Sequence, residues 1–181
     1  MATQKRAIDW LYFGIVLTMT LGMLVLDLRY FYPESLWKAP TAPLHFLVTI
    51  RNKYVATTGD PLFALGHEPW FESFIWIEGL VQLPMGVYIV YSLMSGKPTT
   101  PAVELIFLIF GSITCMGSVA CCAHIAQTPA SILDASKKAS LVYGTYLPFA
   151  LIPAAMVVDM HQRLLARFAA MDAQLKEKKA Q

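Results

Sequence analysis

The stretch WFESFIWIEGLVQLPMGVYIVYSLM, residues 70–94, decides how the chain is read. Most of it is apolar enough for lipid, and a helix of about 20 apolar residues crosses roughly 30 Å of hydrocarbon. Yet Glu78 and Gln82 lie well inside it, and Pro84 follows at once. Their four-residue spacing puts both side chains on one helix face. An ionisable residue at the centre of a span costs about 2.5–3.5 kcal/mol on insertion scales and is a functional candidate by default. Pro84 removes a backbone donor, which predicts a kink and carbonyls freed toward the same interior. Two readings follow: the polar wall of a cavity, or a helix-to-helix hydrogen bond serving assembly. The acid favours the cavity, since Gln82 alone would serve as a clasp.

The composition agrees with a membrane setting. Of 181 residues, 56% are hydrophobic and 14% charged, against about 25% charged in ordinary soluble domains. The mean hydropathy is +0.52. Three further stretches match residues 73–94 in length and character, at about 10–28, 102–126 and 141–160. Lipid cannot satisfy exposed backbone groups, so helices are expected. The predicted fold is an all-α, integral membrane four-helix bundle with kinked helices, one domain over 1–181 with a tail from about 161. The first stretch has a basic start but no small-residue cleavage site, so it reads as a retained span.

The connections differ. SGKPTTP, residues 95–101, is a tight turn, and QTPASILDASKK, residues 127–138, is short and polar. Residues 29–72 are too many for a structureless link. Within them APLHFLVTIRNKYV suggests a short amphipathic helix, and TTGDPL a turn. Lys5, Arg6, Lys97, Arg163, Arg167, Lys176, Lys178 and Lys179 would lie on one side, 8 in all, against 6 on the other (Arg29, Lys38, Arg51, Lys53, Lys137, Lys138). The excess predicts both termini in the cytosol. The ending KKAQ resembles a dilysine retrieval signal of endoplasmic reticulum membrane proteins, which is read from the cytosol.

Other polar residues carry weaker signals. Asp27 ends the first span, where facing water is common; Arg29 beside it would pair with it or snorkel. Asp60 precedes Pro61 and reads as a turn starter. Glu104, in a first helical turn, favours the helix dipole. Asp159 and His161 read as interfacial, and His45, His67 and His124 have no partner spacing. Cys115, Cys121 and Cys122 share one apolar stretch and read as small buried thiols, neither a disulfide framework nor a zinc site. Small residues four apart, Gly111 with Cys115 and Gly117 with Cys121, suit close helix contact. Pro148 and Pro153 predict a bent fourth span, with the Tyr146 hydroxyl beside the first bend. Scattered basic residues give nucleic acid binding no support. No motif for a nucleotide, metal or haem is present, so neither cofactor nor metal is expected.

The series DPLF, EPWFESFIWIEGLVQLP, TTPA and TYLPFALIP resembles the EXPERA-domain family, in its sigma-2 receptor branch, over nearly the whole chain. The resemblance implies a four-helix protein of the endoplasmic reticulum with a cavity buried in the bundle, opening toward the membrane, for sterols and cationic amphiphiles. By its pattern Asp27 would hold a ligand amine, Asp60 would support Asp27, and Glu78, Gln82 and Tyr146 would complete the site. Homodimers occur in the family. So does a sterol double-bond isomerase, whose full acid pattern is not evident here.

Two functions remain open on these residues. A binder would pair Asp27 with the cation of a lipophilic ligand or a sterol hydroxyl, with membrane lipid around it. An enzyme would use Asp27 and Asp60 as acid and base, with Glu78 third, in double-bond isomerisation or in hydrolysis or cyclisation of an epoxide on a lipophilic terpenoid, sterol or polyketide. The basis is that a buried carboxylic acid can stay neutral and donate a proton, while an ionised one accepts.

Overall fold

The computed structural model describes residues 6–64 and 68–180; Lys5 and His67 lie outside the described residues. The protein is 84% helical, with no strand among the described residues. Four helices are long and apolar enough to cross a membrane: α1 (Ala7–Asp27), α3 (Pro69–Met94), α4 (Pro101–Gln127) and α5 (Ala135–Lys179). Between the first two lies α2 (Phe46–Thr58), flanked by the one-turn helices Glu34–Trp37 and Pro61–Ala64.

Local chemistry sets the boundaries. Thr100 caps α4 by accepting from the Val103 amide, and Pro101 occupies the first turn, where its missing N–H is harmless. Asp134 caps α5 the same way through the Lys137 amide. Gly59 ends α2 with φ +67°, a left-handed conformation that glycine adopts without a Cβ penalty.

Each of α1, α3 and α5 contains one widened π-helical turn: Met23–Asp27, Glu78–Gln82 and Ser140–Tyr146. In each, an amide reaches back five residues: Leu28 to Met23, Leu83 to Glu78, Leu147 to Val142. Two of these turns end two residues before a proline. Pro84 and Pro148 cannot donate to the carbonyls four residues back, and a widened turn absorbs that lost bond. Pro153, by contrast, sits inside the continuous helical run Leu147–Ala180.

The helices pair as α4 on α5 and α1 on α3. Each pair has one close approach. A Cβ on Gly111 would stand 2.7 Å from Val157 Cγ2 and 3.1 Å from the Pro153 carbonyl oxygen. A Cβ on Gly86 would stand 2.5 Å from Thr20 Oγ1. Small residues in membrane bundles permit such contact. Phe107, Phe110, Ile89 and Val16 are fully buried between the pairs, while Leu80, Tyr91, Met116 and Leu151 project outward. That outer face is compatible with hydrocarbon and would be an aggregation liability in water.

The end of the bundle near the first residues of α1 is locked by ion pairs. Arg163 Nη1 lies 2.7 Å from Asp9 Oδ1, and Arg163 Nη2 2.6 Å from Asp159 Oδ2. Arg167 meets Glu104 through two bonds, 2.8 and 2.9 Å, and also donates to the Thr99 carbonyl at 2.8 Å. Asp9 and Glu104 are each 1% exposed. Glu104 stands in the first turn of α4, as expected from its favourable place in the helix dipole; it is in addition buried, because the Arg167 fork and the Thr99 hydroxyl satisfy its oxygens.

Candidate ligand-binding site

The π turns bring their polar residues to one place. Asp27 from α1, Glu78 and Gln82 from α3 and Tyr146 from α5 line a single cavity of about 200 Å³ in the half of the bundle nearest α2. An extra residue in a helical turn re-aims the side chains beyond it, and such turns recur at functional sites. The remaining walls are apolar or aromatic, Phe71, Phe74 and Met23 among them, with Cys121 of α4.

Asp60 lies behind this wall. It is fully buried and accepts three hydrogen bonds. Its Oδ1 takes the Leu62 amide at 3.0 Å, which caps the one-turn helix Pro61–Ala64. Its Oδ2 takes both tyrosine hydroxyls, Tyr54 at 2.7 Å and Tyr146 at 2.6 Å. The turn reading of Asp60 and its bond to Tyr146, a residue of the cavity wall, are thus one arrangement. The carboxyl that starts the turn also ties α2 to α5. Burial, followed by the charge of Asp60, pushes the Tyr54 hydroxyl above its ordinary pKa, so it stays protonated and remains a donor. Arg51 fixes the same corner by donating to the Phe63 carbonyl, and the Tyr54 and Phe63 rings meet edge to face.

Gln82 is also committed on one side. Its Nε2 donates to Thr114 Oγ1 at 2.8 Å, and Thr114 donates to the Phe110 carbonyl at 2.8 Å. The clasp and the cavity wall, alternatives on sequence, coexist: the amide nitrogen crosses to α4 while the residue lines the cavity. Asp27 and Glu78 differ from both. Their carboxyls line the cavity, and no hydrogen bond or ion pair engages them among the described residues.

Arg29 does not snorkel. It is buried, its guanidinium 4.7 Å from the centre of the Trp37 ring. Two of the histidines without a sequence partner find one in space. His45 Nδ1 lies 3.0 Å from the Trp37 carbonyl, and His124 packs against Trp70. Cys121 is buried, while Cys115 and Cys122 are half-buried; all three are free thiols. Sequence reasoning missed Tyr54 and Thr114. Tyr54 precedes Asp60 by six residues across a glycine turn, a separation no helical period marks.

The family model EXPERA (EXPanded EBP superfamily) matches residues 46–160. The chain belongs to the EXPERA family. Among known relatives, Sigma intracellular receptor 2 of Xenopus tropicalis is 24% identical over 165 residues, which cover 88% of this chain and 91% of the relative. The EXPERA match spans α2, α3, α4 and much of α5, so it takes in Asp60, Glu78, Gln82 and Tyr146; Asp27 lies before it.

Proposed function

We propose that this EXPERA protein binds a lipophilic ligand whose cation or hydroxyl is held by Asp27 and Glu78. The observation that carries this reading is the pair of carboxyls lining an apolar cavity, with no hydrogen-bond or ion-pair partner among the described residues. A carboxylate in low dielectric is stable only when something meets it. A ligand ammonium or hydroxyl would do so, with Tyr146 and Gln82 orienting it and Asp60 holding Tyr146 in place. Sterol-like molecules and amphiphilic amines both fit that description. The name of the frog relative, a receptor, supports a binding role. The endoplasmic reticulum membrane with both termini in the cytosol is the proposed setting, supported by the excess of basic residues on that side of the four spans.

A second reading is supported by the same pair of acids. Two carboxyls facing one apolar space can act as proton donor and acceptor on a double bond or an epoxide. Both readings share one experiment. The purified protein is incubated with amphiphilic amines, sterols and epoxide-bearing lipids, with binding and product followed by mass spectrometry. Asp27→Asn should weaken amine binding strongly; unchanged binding in Asp27→Asn and Glu78→Gln would refute the carboxylate site. Turnover that disappears in these variants while binding persists would establish the enzyme.

A further inference from the structure

Six hydroxyls stand in the wall of the cavity, and each has one proton to donate. Four have that proton committed inside the protein. Thr18 and Thr114 donate to the carbonyls four residues back, Gly14 and Phe110, each at 2.8 Å, a common arrangement for a hydroxyl within a helix. Tyr54 and Tyr146 donate to Asp60, at 2.7 and 2.6 Å. The remaining two, Ser118 of α4 and Thr145 of α5, make no hydrogen bond among the described residues.

The uncommitted hydroxyls and the unmatched carboxyls divide the cavity between the two helix pairs. Asp27 belongs to α1 and Glu78 to α3, which pack on each other; Ser118 and Thr145 belong to the other pair, α4 and α5. The α1–α3 side offers acceptors. Gln82 adds one. The Thr114 proton is directed to the Phe110 carbonyl, so Gln82 must meet Thr114 through its amide nitrogen, and its Oε1 is left without a partner among the described residues. The α4–α5 side offers hydroxyls that can donate. An oxygen that only accepts gains nothing from carboxylates or from Gln82 Oε1, and no basic side chain stands in the described wall. The Ser118 and Thr145 hydroxyls can serve such an oxygen.

We infer that Ser118 and Thr145 form a second polar pole of the site, which donates hydrogen bonds to an acceptor oxygen of the ligand while Asp27 and Glu78 hold its cation or hydroxyl. The ligand is then bifunctional. It carries a hydrogen-bond donor and, within the span of the same cavity, a carbonyl, ether or epoxide oxygen. The inference rests on the role proposed above for the carboxyls and adds a second point of recognition. Hydroxyls placed to meet an oxygen discriminate against the hydrocarbon analogue, which leaves them unbonded in low dielectric.

The test uses the full-length protein in detergent with two kinds of probe. One is dodecylamine. The other is its ether isosteres, in which oxygen replaces one methylene at successive positions along the chain; that oxygen accepts but cannot donate. Ser118→Ala and Thr145→Val remove the hydroxyls with little change of shape, and thermal melting checks that each variant folds. Partition into detergent is common to all variants and cancels in each ratio to the wild type. For at least one isostere each variant should bind about threefold to tenfold more weakly, the effect of one neutral hydrogen bond, with dodecylamine unchanged. Thr145→Ser, which keeps the hydroxyl, should keep the affinity. Asp27→Asn should weaken both kinds of probe alike. Equal losses for dodecylamine and every isostere in the hydroxyl variants, or no loss for any isostere, would overturn the second pole while leaving Asp27-dependent binding intact. If isostere binding depends on Ser118 and Thr145 but neither probe responds to Asp27→Asn or Glu78→Gln, the pole stands and the role of the carboxyls fails. No saturable binding of either probe to the wild type would refute both.

Discussion

The two halves of the bundle treat carboxylic acids in opposite ways. At the end built from the first turns of α1 and α4, Asp9, Asp159 and Glu104 are each matched to an arginine of α5, at 2.6–2.8 Å. Around the cavity, Asp60 is met by two tyrosine hydroxyls and an amide, while Asp27 and Glu78 face open space. Both halves bury acids in low dielectric, where a charge must be paired or neutral. The matched end is self-sufficient and locks helices. The unmatched half is incomplete, and completion from outside is what a binding site offers. Burial of an acid alone thus says little about function; the identity of its partner separates structure from site.

The largest expected effect breaks the matched end. Arg163→Met leaves Asp9 buried without a counter-charge and should cost about 3–5 kcal/mol, read as a fall in thermal stability in detergent. The double variant Asp9→Leu with Arg163→Met removes the buried pair, leaves the more exposed Asp159 with Arg6 at 3.8 Å, and should recover most of that loss. A double variant as unstable as the single one would show that the end is held by something other than the pair.

Next come the cavity acids, with the opposite signature. Asp27→Asn should lower affinity for an amphiphilic amine by about 2–5 kcal/mol, as expected when a buried charge loses its partner. The folded state, relieved of an uncompensated group, should be unchanged or steadier, the usual trade between site and stability.

Smaller effects sharpen the contrast. Gly111→Ala forces α4 from α5 and should cost roughly 1–3 kcal/mol as an overpacking change, whereas Gly22→Ala, with open space beside it, should leave thermal stability unchanged. Tyr146→Phe leaves Asp60 with one tyrosine fewer and should cost roughly 1–2 kcal/mol of stability, with a further loss of ligand affinity. Thr114→Val, which only releases the Gln82 amide, should cost about 1 kcal/mol or less.

Much of this was legible in the sequence, unevenly. The four spans were plain, because a stretch such as residues 73–94 announces itself by length and hydropathy. Pro84 and Pro148 signalled irregular helix, though a widened turn is not distinguishable from a kink by proline alone. Glu78 and Gln82 declared a shared face through their spacing. Asp27 and Asp60 did not, since a span end and a turn explain them equally well; the resemblance to EXPERA proteins raised them. The locked end stayed hidden. Asp9 meets Arg163 across 154 residues, and Glu104 meets Arg167 across 63; no local period encodes such pairings.

The most direct measurement compares Asp27→Asn with Arg163→Met in one assay, following thermal stability and dodecylamine binding of each purified variant. Matched and unmatched acids predict a crossed result: Asp27→Asn keeps its stability and loses the amine, while Arg163→Met loses stability and, below its melting temperature, still binds. If Asp27→Asn instead melts early and binds normally, Asp27 is a structural acid and the cavity is not the site.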